Sequence, residues 1–127
     1  MHDLPTIDSV RRHFADIIAE SEYVPDSVQI TIRVEPELGE AAAIHCHWPL
    51  VEKAPNSGNY SREITVHITA AAMNRFRSAD ARTRGAMSTR FSSIFDQRLD
   101  EGQYNEQDAS PPPFLIYIDE HELTPKH

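Results

Sequence analysis

The chain opens with a helical pattern of apolar residues and then changes to strict alternation. Five apolar residues recur at helical spacing, with charged residues on the other side of the wheel: Ile7, Val10, Phe14, Ile17 and Ile18. Thr6 or Asp8 can cap this helix, because either side-chain oxygen can accept from the unpaired amides of the first turn. We expect Pro25 to end the helix, since the residue before a proline is pushed out of the α region.

Three segments between residues 27 and 69 alternate apolar and polar residues with a period of two, which is typical of strands with one buried face. Their apolar positions are Val28, Ile30, Ile32 and Val34, then Ile44, Cys46, Trp48 and Leu50, and then Ile64, Val66 and Ile68. Short links rich in turn residues join the three segments. The pattern therefore predicts a three-stranded antiparallel meander.

The same alternation restricts the register of the meander, because a slip of one residue would turn the apolar side chains outward. If the first turn is centred on Gly39, Ile32 pairs with Cys46 and Arg33 lies opposite His45. If the second turn is centred near Asn56, Cys46 pairs with Val66. A register offset by two residues satisfies the pattern equally well.

Helical periodicity returns after Thr69, which can cap the run of helix formers at residues 70–73. A second apolar stripe follows and ends before Gly102; it consists of Met87, Phe91, Ile94, Phe95 and Leu99. Polar residues at 77–80 interrupt the pattern between the two runs. This interruption favours two helices, with Ser78 capping the second, over one long helix.

The segment from Phe114 to Ile118 is apolar on both sides, as expected of a strand covered on both faces. It follows a polar loop with three prolines at residues 103–113, and we expect it to join the sheet as a fourth strand through a helical crossover. The acidic tail at residues 119–127 is expected to fray. The sequence thus predicts one α+β domain over residues 1–127, with its core at about 6–118, in the order α-β-β-β-α-β with the helices packed on one sheet face.

Composition narrows the class of protein. A chain of 127 residues is long enough to bury a core of its own. Its single cysteine, Cys46, cannot form an internal disulfide, which is typical of cytosolic proteins. The first twenty residues lack the apolar run of a secretory signal, and no apolar stretch is long enough to span a bilayer. We therefore expect a cytoplasmic protein with no membrane contact.

The charge is uneven along the chain. The formal net charge of −8 opposes nucleic-acid binding by the surface as a whole, because phosphates are held chiefly by Lys and Arg. The segment at residues 70–98 nevertheless holds six arginines and two aspartates, a sum of +4, which leaves −12 on the rest of the chain. Intramolecular or intersubunit ion pairs on a solvated helix are the ordinary explanation. The candidate contacts to nucleic acid or to an acidic partner are Arg75, Arg82, Arg84 and Arg90.

Histidines are the most suggestive feature of the polar sheet face. Alternation places His45 and His47 on one face, and the register centred on the two turns places His67 beside them. Three imidazoles could hold zinc, but a cation at Arg33 opposes a divalent metal and favours an anion or a partner carboxylate. A polar face turned to solvent is the ordinary alternative. The sequence therefore predicts no metal or other cofactor, and Cys46, on the opposite face, is expected to be a buried structural thiol.

Over residues 6–100, the order of helix, three antiparallel strands and helix resembles the double-stranded RNA-binding domain. That family places a lysine cluster at the start of its last helix, whereas Arg75 and Arg77 are the basic residues near that position here. The same order, together with the size and the acidic charge, resembles the beginning of the secretion chaperones of bacteria. That resemblance implies a small dimeric binder of other proteins. Neither resemblance assigns the chain to a family.

No serine-hydrolase elbow, phosphate-binding loop, dinucleotide fingerprint or paired cysteine motif is present. We therefore favour a non-enzymatic, bacterial-type interaction module, of the adaptor or chaperone kind. A homodimer is expected, because a doubly apolar strand at the edge of a sheet needs a cover that a second copy would supply. A nucleic-acid binder and a metal-dependent site at the three histidines are the alternatives.

Overall fold

The computed structural model describes residues 5–49, 61–101 and 114–124. The α-helices are α1 (Ile7–Ala19), α2 (Ala70–Ser78), α3 (Ala81–Glu101) and α4 (Glu120–Leu123), and the strands are β1 (Gln29–Arg33), β2 (Ala42–Pro49), β3 (Ser61–Ile68) and β4 (Phe114–Ile118). A 3-10 turn at Pro36–Leu38 lies in the link between β1 and β2. The α+β class is confirmed. The helical segment before β4 consists of two helices, as the sequence favoured, and the expected order differs in the short helix after β4.

The four strands form one sheet in the order β1-β2-β3-β4. The first three are antiparallel neighbours, whereas β4 runs parallel to β3, so the sheet is mixed and the predicted meander describes only part of it. The crossover through α2 and α3 reaches β4 as expected. The register is the one offset by two residues: Cys46 pairs with Ile30 on one side and with Ile64 on the other.

The helices pack on one face of this sheet, which we call the covered face. Alternation turns most apolar residues of the strands to this side, including Ile44, Cys46, Ile64 and Ile116, each at most 1% exposed. The ring centroid of Phe14 on α1 lies 4.6 Å from that of Phe91 on α3, which joins the two helices over the sheet. One hydrophobic cluster contains buried residues from β2, β3, β4 and all four helices, and Ile30 and Ile32 of β1 pack against it. The opposite side, which we call the open face, carries the polar half of the alternation.

The termini of the first two helices follow from their capping residues. The Ser9 amide donates to Oγ1 of Thr6 over 3.0 Å at the start of α1, and the Ala72 amide donates to Oγ1 of Thr69 over 3.1 Å at the start of α2. Both caps are among those expected. Helix α1 ends at Ala19, well before the proline expected to stop it, because the chain turns after Glu20.

The break between α2 and α3 confirms two helices, but with a different cap. Ser78 is the last residue of α2, and its hydroxyl donates to the backbone carbonyl of Arg75 over 3.3 Å. Asp80 performs the capping, because its Oδ1 accepts from the Thr83 amide over 2.7 Å. This hydrogen bond lowers the pKa of Asp80 below its usual value. The expectation that Ser78 caps α3 is therefore wrong.

The C-terminal segment is more ordered than the sequence suggested. Asp119 caps α4, and Leu123 is fully buried in the core, so residues 120–123 of the tail are helical rather than frayed. Strand β4 is covered on one face only, because Leu115 and Tyr117 are 63% and 52% exposed. The predicted roles of Leu50, Gly102 and the loop at 103–113 lie outside the described residues. Among the described helices, none is long and apolar enough to cross a membrane.

Arg11 explains how α1 is fixed to the link between β1 and β2. This residue is only 5% exposed, and its guanidinium donates to the carbonyls of Gly39 and Ala41, each over 2.9 Å. The same group forms an ion pair with Asp8 at 3.0 Å. Gly39 has a φ of +58°, which glycine tolerates best, so the turn presents these carbonyls at the helix. The planar guanidinium suits two acceptors at once.

Candidate binding face of the sheet

The open face is arranged in rows that run across the strands. Its first row contains Arg33, Ala43, His67 and Tyr117; its second contains Thr31, His45, Thr65 and Leu115; its third contains Gln29, His47 and Glu63. No helix of the described part of the chain lies on this side. Alternation thus collects the polar side chains of four separate segments on one surface.

A polar cluster occupies the middle of the open face. Nδ1 of His45 lies 3.2 Å from Oγ1 of Thr65, a hydrogen bond in which either atom can donate. Nε2 of the same imidazole lies 3.9 Å from Oε1 of Glu63, which pairs across the strands with His47. The two imidazole centroids on β2 are 5.8 Å apart. This cluster can present both donors and acceptors to a binding partner.

His47 is the least satisfied member of this cluster. Its Nδ1 is buried and has no hydrogen-bond partner among the described residues. An unpartnered buried nitrogen loses its hydration without a replacement, which costs free energy.

The edge of the open face at β4 is apolar and aromatic. The imidazole of His67 stacks on the phenol ring of Tyr117, with centroids 5.1 Å apart and an angle of 7° between the planes. Leu115, next to this pair, is the more exposed of the two apolar residues that β4 places on this side. The open face is therefore polar at its centre and apolar along one edge.

The observed register changes two expected neighbours. Thr31 lies opposite His45, and Arg33 lies opposite Ala43, so the predicted pairing of Arg33 with His45 is wrong. His67 pairs with Ala43 rather than lying beside the other two histidines. The cause is the two-residue offset, which leaves every side chain on its predicted face but moves it along the strand. All four predicted contacts stay on the open face.

The histidines are not arranged as a metal centre. In the described ranges, no three His, Cys, Asp or Glu side chains are placed to hold a metal ion. His67 lies one row beyond His45 and is occupied by its stack with Tyr117. Glu63 takes the position beside the histidine pair that the sequence had given to the third imidazole.

Cys46 lies on the covered face between its two histidine neighbours, as the alternation predicts. It is fully buried, and desolvation raises the pKa of its thiol to about 12. A thiolate is the reactive form of cysteine, and here it is strongly disfavoured. The side chain therefore serves as a small apolar residue in the core.

The arginine-rich segment does not form one free basic surface. Nε of Arg84 donates to the carbonyl of Ala79, and Nε of Arg90 donates to the carbonyl of Glu122, each over 2.9 Å. Both side chains are half-buried, whereas Arg75 and Arg82 are exposed. Two of the four candidate contacts thus connect helices and loops within the fold. Sequence patterns could not show this, because the carbonyl acceptors lie in irregular backbone or at element ends.

A histidine and a serine meet between α1 and α3, beside a cavity of about 330 Å³. Nε2 of His13 lies 2.8 Å from Oγ of Ser88, a distance typical of a nucleophile and its base. However, the Ser88 hydroxyl donates its only proton to the carbonyl of Arg84, also over 2.8 Å. The imidazole must then donate to the serine oxygen, which is the reverse of what activation needs. The hydrogen bond between His13 and Ser88 is therefore a structural contact between α1 and α3.

Comparisons with protein-family models, curated proteins and solved structures give no match to this chain.

Proposed function

We propose that this chain is a non-enzymatic, cytosolic protein-interaction module, homodimeric in solution, that binds through the open face of its sheet. The observation that supports this most is the exposure of Leu115 and Tyr117 on a face that otherwise presents hydrogen-bonding side chains. Neighbouring apolar residues that are exposed together are a feature of protein-binding surfaces. The single buried cysteine supports a reducing compartment.

The four candidate contacts Arg33, His45, His47 and His67 support the same proposal. Arg33 is exposed at one corner of the open face, and histidine and arginine both recognise carboxylates of a partner. Tyr117 and Leu115 add the apolar area that desolvates such contacts. The module would act as an adaptor or chaperone-like binder, with the sheet as its platform.

The test is affinity capture from a lysate of the native host with two matched tyrosine variants. Tyr117 on the open face and Tyr23 beside α3 are 52% and 46% exposed, so Tyr117→Ser and Tyr23→Ser remove similar surface. We expect Tyr117→Ser to lose the captured proteins and Tyr23→Ser to retain them. Equal capture by both variants and the unmodified chain would remove the open face from consideration.

A nucleic-acid binder is the competing function, because Arg75 and Arg82 are exposed. Its affinity would fall steeply with salt, since phosphate contacts release counterions. A salt titration with mixed nucleic acids therefore distinguishes the two functions. The metal-dependent alternative predicts bound metal in protein purified without an affinity tag, which elemental analysis would detect.

A further inference from the structure

Two opposite charges lie at diagonal corners of the patch that β1, β2 and β3 form with the three rows of the open face. Arg33 on β1 is level with Ala43 of β2, and Glu63 on β3 is level with His47. Those two β2 residues are equally distant from His45, so this histidine lies midway between the charged residues. With about 4.8 Å between strands and about 3.3 Å per residue, the diagonal measures about 16 Å.

A twofold axis fits this arrangement. Consider a twofold axis that lies midway between two facing sheets, runs parallel to them and passes over His45. If this axis is perpendicular to the line from Arg33 to Glu63, it exchanges the positions of these two residues. Arg33 then faces Glu63 of the partner subunit, and the reverse pair forms at the other corner, as an isologous interface requires. The strands of the two copies cross at about 70° in this arrangement, which is close to the orthogonal class of sheet packing.

The same axis accounts for the exposed apolar edge. We treat the sheet as a flat grid with the strand spacing and residue rise given above. Tyr117 lies in the same row as Arg33, two strands beyond β2, and this grid position falls close to the axis. The two copies of its ring therefore meet each other. Leu115 comes to lie over the partner's His67. In this flat grid, one operation covers both exposed apolar side chains of β4.

Charge also favours a second copy at this face. The formally charged residues that the described strands place there are Arg33 and Glu63, which sum to zero with neutral histidines. The whole chain carries −8, so most other surfaces of two copies repel each other. A neutral face with opposite charges at its corners brings two acidic chains together at the least electrostatic cost.

We propose that the occupant of the open face is a second copy of this chain, docked sheet to sheet with Arg33 against the partner's Glu63 in two symmetric pairs. This inference rests on the proposed function and specifies its homodimer. A face of four short strands buries an area at the small end of the range for specific interfaces, so the dimer is expected to be weak. Its measurement must extend to high protein concentration.

The test uses charge reversal and sedimentation velocity on the full chain at low salt, where exposed pairs are least screened. Arg33→Glu brings a second carboxylate against the partner's Glu63, and Glu63→Arg brings two guanidinium groups together. We expect each variant to dimerise about tenfold more weakly or worse, which corresponds to about 1.4 kcal/mol. A one-to-one mixture of the two variants should form heterodimers, and the double variant Arg33→Glu/Glu63→Arg should recover the homodimer.

Each outcome decides one question. Loss in the single variants without recovery in the mixture or in the double variant would overturn the proposed docking. A dimer that Leu115→Ser and Tyr117→Ser abolish but charge reversal leaves unchanged would also overturn it, while the open face would survive as the interface. A chain that stays monomeric at all concentrations but captures another protein through Tyr117 would overturn the second copy and the homodimer, and would keep only protein binding through the open face. Far-UV circular dichroism of every variant checks that the fold is intact.

Discussion

The two faces of the sheet are built from the same four strands and differ in almost every physical property. Cys46 and His45 are adjacent in the chain, yet the thiol is fully buried under the helices and the imidazole is part of a partly exposed polar cluster. On β4, Ile116 is buried and its neighbour Leu115 is 63% exposed. The covered face provides the stability of the fold, whereas no helix of the described residues lies on the open face. The comparison shows that a residue's role here depends on the face it occupies more than on its type.

The largest expected effect comes from truncating neighbouring residues of β4. Ile116→Ala removes buried methyl groups and leaves a cavity, so we expect a loss of about 2–5 kcal/mol in the free energy of unfolding. Leu115→Ala on the open face should change it by about 0.5 kcal/mol or less. Urea unfolding at low protein concentration measures both without a contribution from dimerisation. Equal losses would contradict the distinction between the two faces.

Two arginines extend the comparison to charged residues. Arg11→Met leaves the carbonyls of Gly39 and Ala41 without their donor, so we expect a loss of about 1–3 kcal/mol. Arg33→Met on the open face should be close to neutral in the same unfolding experiment, because Arg33 is exposed. Arg11→Lys should restore only part of the loss, since an ammonium cannot bridge both carbonyls as the guanidinium does. A neutral Arg11→Met would contradict the structural role assigned to this residue.

The thiol of Cys46 gives the covered face a dependence on pH. Burial raises its pKa from 9.0 to about 12, so the unfolded chain loses this proton first as the pH rises. The free energy of unfolding should therefore decrease above pH 9, by at most about 1.4 kcal/mol for each pH unit, until the folded thiol also ionises. The control is Cys46→Ala, in which the free energy of unfolding should lack this decrease above pH 9. A thiol reagent should label the native chain only after unfolding, and rapid labelling of native protein would contradict the burial.

The smallest expected effect concerns Asp80, which caps the start of α3 in the helical layer over the covered face. The Thr83 amide lowers the pKa of Asp80 below its usual value of 3.8, so the stabilisation by this carboxylate is complete above that pH and is lost as the pH falls through the lower, folded value. We expect Asp80→Ala to lower the unfolding midpoint slightly at neutral pH. Asp80→Asn keeps a capping oxygen and should lose only the acid-side dependence. Thermal unfolding at several pH values measures both, and identical profiles for all three chains would show that Asp80 does not act as the cap.

The sequence could predict the candidate site only as a set of residues on one face. All four candidate contacts lie on the open face: Arg33, His45, His47 and His67. A period of two determines the side of the sheet on which each side chain lies, but it does not determine which residues that side chain contacts. Their neighbours depended on the register, and an offset of two residues preserves every buried position. Glu63 and Thr65 were therefore missed as contacts of His45, although both belong to the same polar alternation.

By itself, the sequence determined the α+β class, the three alternating strands, the break before α3 and the inward direction of Cys46 and Trp48. These features follow from local periodicity and capping, which nearby residues specify. Only the tertiary structure decided the strand register, the parallel placement of β4, the exposure of Leu115 and Tyr117, and the use of arginines as donors to distant carbonyls. Each of these depends on which segments meet in space, and segments far apart in the chain meet through packing that no local pattern encodes.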